Sequence, residues 1–174
     1  DDLLRRIWRQ IRLLHDGRIA HRWLDASHVL VDSDGEPVLV DWRWSTIGAD
    51  RPTLAVDLAD LLVSLAGIVG VERSVSAAAA ELDPEALAEA VPLIQPLVLS
   101  TGNKRVAKQQ PDLIAAVRSA VAAATGTDDV KPAELARLSV ARVVGWVGLV
   151  VLLYAILGFA SNAGQIGDAL GEAN

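Results

Sequence analysis

The sequence contains no cysteine and no methionine, and only one phenylalanine and one tyrosine. Without a thiol there is no disulfide, no thiolate metal site and no cysteine nucleophile. Positive charge is in short supply too: 16 basic residues face 22 acidic ones, for a net charge of −6. Such a balance argues against non-specific nucleic-acid binding. Neither a G-x-x-x-x-G-K-[ST] loop nor a G-x-S-x-G elbow occurs, so P-loop and α/β-hydrolase chemistry find no support. Apolar sequence is what the chain has in quantity, 52% hydrophobic against 22% charged over 174 residues. That excludes a disordered tail and leaves room for one modest domain with an appendage. Asp1 falls inside a helical pattern, so we read the chain as part of something longer.

The apolar residues are unevenly spread. From Val143 to Gly167 there is no Asp, Glu, Lys, Arg or His, and Val143 to Ala160 (VVGWVGLVVLLYAILGFA) is almost unbroken. As a helix that run rises about 27 Å, close to a hydrocarbon core. A buried core helix would need apolar protein on every side, and little sequence remains to supply it. A membrane span is therefore predicted over 143–164, preceded by a juxtamembrane helix over 131–142. Residues 165–174, with Ile166 and Leu170, read as the start of a further membrane segment. All 16 basic residues lie at or before Arg142, which places residues 1–142 in the cytoplasm of a plasma-membrane protein by the positive-inside rule. Trp146 suits the inner interface.

Earlier in the chain, Leu3, Leu4, Ile7, Trp8, Ile11 and Leu14 share one helical face, and Arg5, Arg6, Arg9 and Arg12 lie off it. His15-Asp16-Gly17 supplies a C-cap and turn. Val29 to Val31 and Val38 to Val40 flank a turn at Asp34-Gly35, a β-hairpin signature. Ser45 to Thr53 reads as a loop. Leu54 to Val69 is apolar nearly all round, with Asp57 and Asp60 its only charges, so it should be a deeply buried helix. Further helices are predicted over Glu72–Leu82, from Pro84 with Asp83 as N-cap, over Pro111–Thr125 closed by Gly126, and from Pro132. Gly102 to Gln110 reads as a basic surface loop. Its Lys104, Arg105 and Lys108 would be either solvated or in reach of anionic lipid headgroups.

The segment LLHDGRIAHRWLDASHVLVDSDGEPVLVDWRW resembles the catalytic-loop region of protein-kinase-like phosphotransferases. In that family the pattern is His-Arg-Asp-Leu-x-x-x-Asn, two short strands, then Asp-Phe-Gly. His21, Arg22 and Leu24 align with the first part and Asp41 with the aspartate of the last. Asp57 resembles the buried aspartate that holds the catalytic loop from beneath. The resemblance implies a fold that is mainly α with a short β-hairpin: a kinase-like C-lobe over 1–130, followed by one transmembrane helix. It also implies that the working parts are missing. The base position is Trp23, whose indole has no acceptor. The asparagine position is His28, a poor ligand for a hard cation. Trp42 and Arg43 stand for Phe-Gly. Asp41 alone is left as a residual Mg²⁺ ligand, the sole route to Mg·ATP, and no cofactor is expected. Asp25 sits where the family has lysine, which counts against it as a substitute base.

The chain thus resembles a pseudokinase, with His21, Arg22, Trp23 and His28 forming a degenerate loop. Its architecture is also similar to actinobacterial membrane proteins that join a kinase-like module to a flippase-like region resembling that of lysylphosphatidylglycerol synthase. The function implied is regulation or scaffolding of such a multi-pass, lipid-flipping domain. Its partners would be the lipid bilayer and further transmembrane segments, with no nucleic acid and no small-molecule substrate. Two alternatives stay open: an active phosphotransferase whose N-lobe lies upstream, and a non-catalytic membrane tether.

Other constellations have plainer explanations. His15, His21 and His28 are six and seven residues apart with no thiol company, so no metal site is expected. Trp8, Trp23, Trp42 and Trp44 would form either a ligand pocket or core and interface. Asp32, Asp34 and Glu36 alternate as in a calcium loop, without the spacing that completes one.

Overall fold

A computed structural model describes residues 1–127, 147–154 and 156, in two units, Asp1–Ala133 and Glu134–Asn174. In the first, helix α1 (Asp2–Asp16) buries Leu4, Ile7, Trp8 and Ile11, the stripe set by its 3.6-residue period. Its opposite face is basic and meets helix α3 (Val71–Glu81). Arg5 and Arg9 both donate to the Glu81 carboxylate, and Arg12 donates to the Glu81 carbonyl. Cations at a helix C-terminus also complement its dipole. The chain leaves α1 differently from the predicted cap. Gly17 keeps φ −78, and Arg18 takes the left-handed turn at φ 55. Arg18 tolerates it because its amide, carbonyl and guanidinium are all engaged, by His15 O and by the backbone of Ala49.

Two small antiparallel sheets follow, β1 (Ile19–Ala20) with β4 (Thr46–Ile47) and β2 (Val29–Val31) with β3 (Pro37–Leu39). The hairpin register pairs Val29 with Leu39 and Val31 with Pro37. The connection is longer than a two-residue turn. Asp32 Oδ1 accepts from the amides of Asp34 and Glu36, and Gly35 takes φ 80. Asp32 is thus spent on an Asx-type turn, and the calcium-loop pattern has a backbone explanation. Gln10 Nε2 donates to Pro37 O, tying the hairpin to α1.

Helix α2 (Arg51–Val69) runs through the middle of this unit. Asp50 caps it by accepting from Thr53 N, so the helix begins inside the segment predicted as loop, which also contains β4. Leu61, Leu62 and Val63, each about 100° from the next round the helix axis, are all buried, as expected of a helix with apolar residues all round. Around α2 pack α3, α4 (Pro84–Ala90), α5 (Thr101–Gln109) and α6 (Leu113–Thr125), while α1 packs against α3 and β1. Asp83 caps α4, and Gly126 closes α6 at φ 65.

Helix α5 corrects the basic loop predicted over Gly102–Gln110. Ser100 Oγ accepts from Asn103 N as the N-cap, and Asn103 Nδ2 is buried against Asp60. Gly67 of α2 lies against Val106 so closely that an added Cβ would sit 2.8 Å from its Cγ1. Polar composition concealed an element whose packing rests on an asparagine and one valine.

In the second unit, residues 147–154 and 156 are helical, and Val147, Leu149, Val150, Leu153 and Tyr154 are each more than half exposed. The remainder of the predicted span over 143–164, the juxtamembrane helix over 131–142 and the segment 165–174 lie outside the described residues. Among the described residues, α2 is the one helix long and apolar enough to cross a membrane, and 61% of its most apolar window is buried in the protein.

Candidate functional site

Between β1 and β2 the chain makes a loop that three elements hold. From below, α2 supplies Asp57, 1% exposed. Its Oδ2 accepts from His21 N at 2.6 Å and its Oδ1 from Arg22 N at 2.8 Å. Arg22 is left-handed at φ 68, a conformation that costs a non-glycine residue about 1 kcal/mol. The carboxylate grip on its amide offsets that strain. Two turns further along α2, Ser64 Oγ accepts from Ala26 N. From the far side, His21 Nε2 donates to Val40 O at 2.9 Å. The carbonyl fixes the proton on Nε2, which leaves buried Nδ1 without a partner.

His21 belongs to a run of rings along the loop. Its centroid is 5.0 Å from that of Trp42 and 5.4 Å from that of His28, and His28 is 6.1 Å from Trp23. Trp23 and Trp42 are partly exposed, Trp44 more so, and Trp8 is wholly buried in the core. The four tryptophans therefore do not assemble into one pocket.

Asp25 lies deeper in the site than its place in the family pattern suggested. It is 6% exposed, and its Oδ1 accepts from Ser27 N and from His28 Nδ1, at 3.0 and 2.9 Å. Its Oδ2 accepts from Ser100 Oγ at 3.2 Å, where α5 comes close because residue 102 is glycine. Burial pushes the Asp25 carboxyl up, but hydrogen bonds from Ser27 and His28 outweigh it and hold the group below the ordinary aspartate range. Asp60 behaves oppositely. Burial dominates and raises its pKa, against hydrogen bonds from Ser100 N and Asn103 Nδ2, with the charge of Asp25 adding to the rise. Of the two carboxylates, Asp60 is the one that takes up a proton first.

Asp41 completes the site at the edge of β3, left-handed at φ 64. Arg43 Nε and Nη2 donate to its two oxygens, each at 2.6 Å. This bidentate grip holds the Asp41 carboxyl below its usual value. His28 Nε2 is 3.9 Å from Asp41 Oδ2, so Asp25, His28 and Asp41 lie in a row with the imidazole between the carboxylates. A row is not a cage, and among the described residues no three His, Asp or Glu side chains are placed to hold a metal ion. His15 stands apart, with Nε2 3.9 Å from Asp57.

The Mg·ATP of a working kinase does not fit these residues. Mg²⁺ needs oxygen ligands in octahedral order. Here the sole candidate carboxylate is shared with a guanidinium, and the neighbouring position is an imidazole. Arg43 stands in the sequence only as a replacement for glycine; its grip on Asp41, two residues away, emerges from the backbone turn. The Asp25–His28 pair had one available signal, an acid and a histidine three residues apart at the start of a turn.

No protein-family model, curated protein or solved structure matches the chain.

Proposed function

We propose that this chain is a catalytically silent, kinase-like cytoplasmic module that regulates or scaffolds a multi-pass membrane domain. That domain would be of the flippase-like kind found with lysylphosphatidylglycerol synthase. The observation that carries the silent part is the bidentate grip of Arg43 on Asp41. Trp23 in the base position adds to it. Support for the kinase-like part comes from Asp57, whose two oxygens hold the His21 and Arg22 amides, the contact the resemblance implies. Support for the membrane part is the uncharged run from Val143 to Ala160.

A thermal-shift titration with Mg·ATP, on the protein as its native gene encodes it, tests the proposal beside an Asp41→Asn variant. No shift at saturating nucleotide is the expected outcome. A saturable rise that Asp41→Asn abolishes would overturn it, because only a metal–nucleotide complex held by Asp41 stabilises in that manner.

One observation favours a second reading, an active phosphotransferase. Asp25 orients His28 through Nδ1 and leaves Nε2 turned towards Asp41, the arrangement of a general base with its orienting acid. Nucleotide turnover that His28→Gln removes would replace the silent module with this enzyme.

A further inference from the structure

Helix α5 and the start of α6 enclose a groove of about 760 Å³. Lys104, Arg105 and Lys108 line it, over a floor that includes Pro96, Pro111 and Ile114. We propose that this groove binds the anionic headgroups of a phospholipid bilayer.

The cations themselves make the case. Arg5, Arg6, Arg9, Arg43, Arg51 and Arg73 each meet a carboxylate. The side chains of Lys104, Arg105 and Lys108 have no hydrogen bond or ion pair among the described residues. Lys104 and Lys108 are one helical turn apart, a spacing at which like charges repel. Helix α5 carries no acidic residue to relieve them, and neighbouring Asp112 pairs with neither. In a chain of net charge −6, a repelling and unpaired basic cluster is held at a cost that a bound anion would remove.

The floor identifies the source of that anion. Apolar walls let the methylene stems lie flat while the charged ends project outward, which suits an interface more than a pocket for a free ion. The lining holds no acid or amide to read a peptide, and Thr101 is its one neutral hydroxyl. An uncharged run long enough to span a bilayer lies further along the same chain. The inference rests on the membrane part of the proposed function, and the experiment separates the two.

Thr101→Cys gives the full chain a single thiol, because the sequence has none, and an environment-sensitive dye there reports from the groove. The labelled chain is reconstituted into nanodiscs of phosphatidylcholine, alone or mixed with phosphatidylglycerol. Shielding of the dye from acrylamide should appear only with phosphatidylglycerol and reverse with salt. It should vanish in the Lys104→Gln, Arg105→Gln, Lys108→Gln triple variant and persist in Arg118→Gln. At the usual strength of a basic side chain near an anionic surface, the triple change should lower affinity for phosphatidylglycerol vesicles about 100-fold. If that variant fails to fold, Lys108→Gln alone should lose about fivefold.

Equal shielding on neutral lipid, or shielding that survives the triple change, would overturn the proposal. Shielding by inorganic phosphate or glycerol 3-phosphate on neutral nanodiscs, as strong as that from phosphatidylglycerol, would overturn it as well and assign the groove to a soluble phosphate. Should the apolar run insert into no nanodisc, the membrane reading falls on its own. Flotation of the same chain with phosphatidylglycerol vesicles then decides the groove: flotation lost in the triple variant supports it, and no flotation overturns it.

Discussion

A carboxylate buried as deeply as Asp57 persists in a folded chain only when its oxygens replace the hydrogen bonds they lose from water. Asp57 does so with the amides of His21 and Arg22, and removing it strands the buried His21 amide and releases that of left-handed Arg22. Asp57→Ala should therefore cost about 3 kcal/mol, read from urea unfolding followed by far-UV circular dichroism. An unchanged midpoint would mean that the loop does not depend on this grip. Asp60 allows a test of the opposite sign. Its folded pKa is raised by burial and by Asp25, so its charge destabilises the fold near neutrality. That penalty fades as pH falls through the folded pKa towards the unfolded value of about 3.9. Asp60→Asn should raise the melting temperature at pH 7 and lose its advantage near pH 4. A constant difference between variant and parent across that range would contradict the assignment. The lowered pKa values of Asp25 and Asp41 work the other way, and their stabilisation is lost on acidification. At this scale the sequence is readable where a residue is anomalous. Asp57 stood out as a charge in an apolar helix. Asp25 did not, because its partners Ser27, His28 and Ser100 come from a local turn and from a helix far along the chain.

At the scale of elements, legibility followed the hydrophobic period. Helix α1 shows its stripe plainly, and the arginines off that stripe are free to reach Glu81. Helix α5 shows no stripe, since its contacts to α2 are the buried amide of Asn103 and the close approach of Val106 to Gly67. That approach is testable. Gly67→Ala gains helix propensity, yet its methyl group must displace a stiff, β-branched side chain, so it should destabilise by about 1–2 kcal/mol. Adding Val106→Ala opens the space and should recover part of the loss, which chemical unfolding of the single and double variants would measure. If Gly67→Ala were instead stabilising, the contact between α2 and α5 would be looser than the structure has it.

Across the whole molecule, the mainly helical fold with two small antiparallel sheets follows from one helix that is apolar on every side. A helix with such a surface has to be wrapped, and four others, α3 to α6, pack round α2. The same property has a consequence while the chain is being made. As it leaves the ribosome, before its partners exist, α2 is a nineteen-residue helix that an insertion machinery reads by length and apolarity. Asp57 and Asp60 sit near its middle, and there each charge opposes entry into lipid by about 3 kcal/mol. The carboxylates that hold a loop and seat α5 in the folded chain would thus also oppose entry of α2 into lipid. Replacing both with leucine should divert the helix into the bilayer, seen as a glycosylation acceptor beyond α2 becoming modified in a microsomal translation assay. An unmodified acceptor in that variant would mean that neighbouring sequence, rather than these two side chains, keeps α2 out.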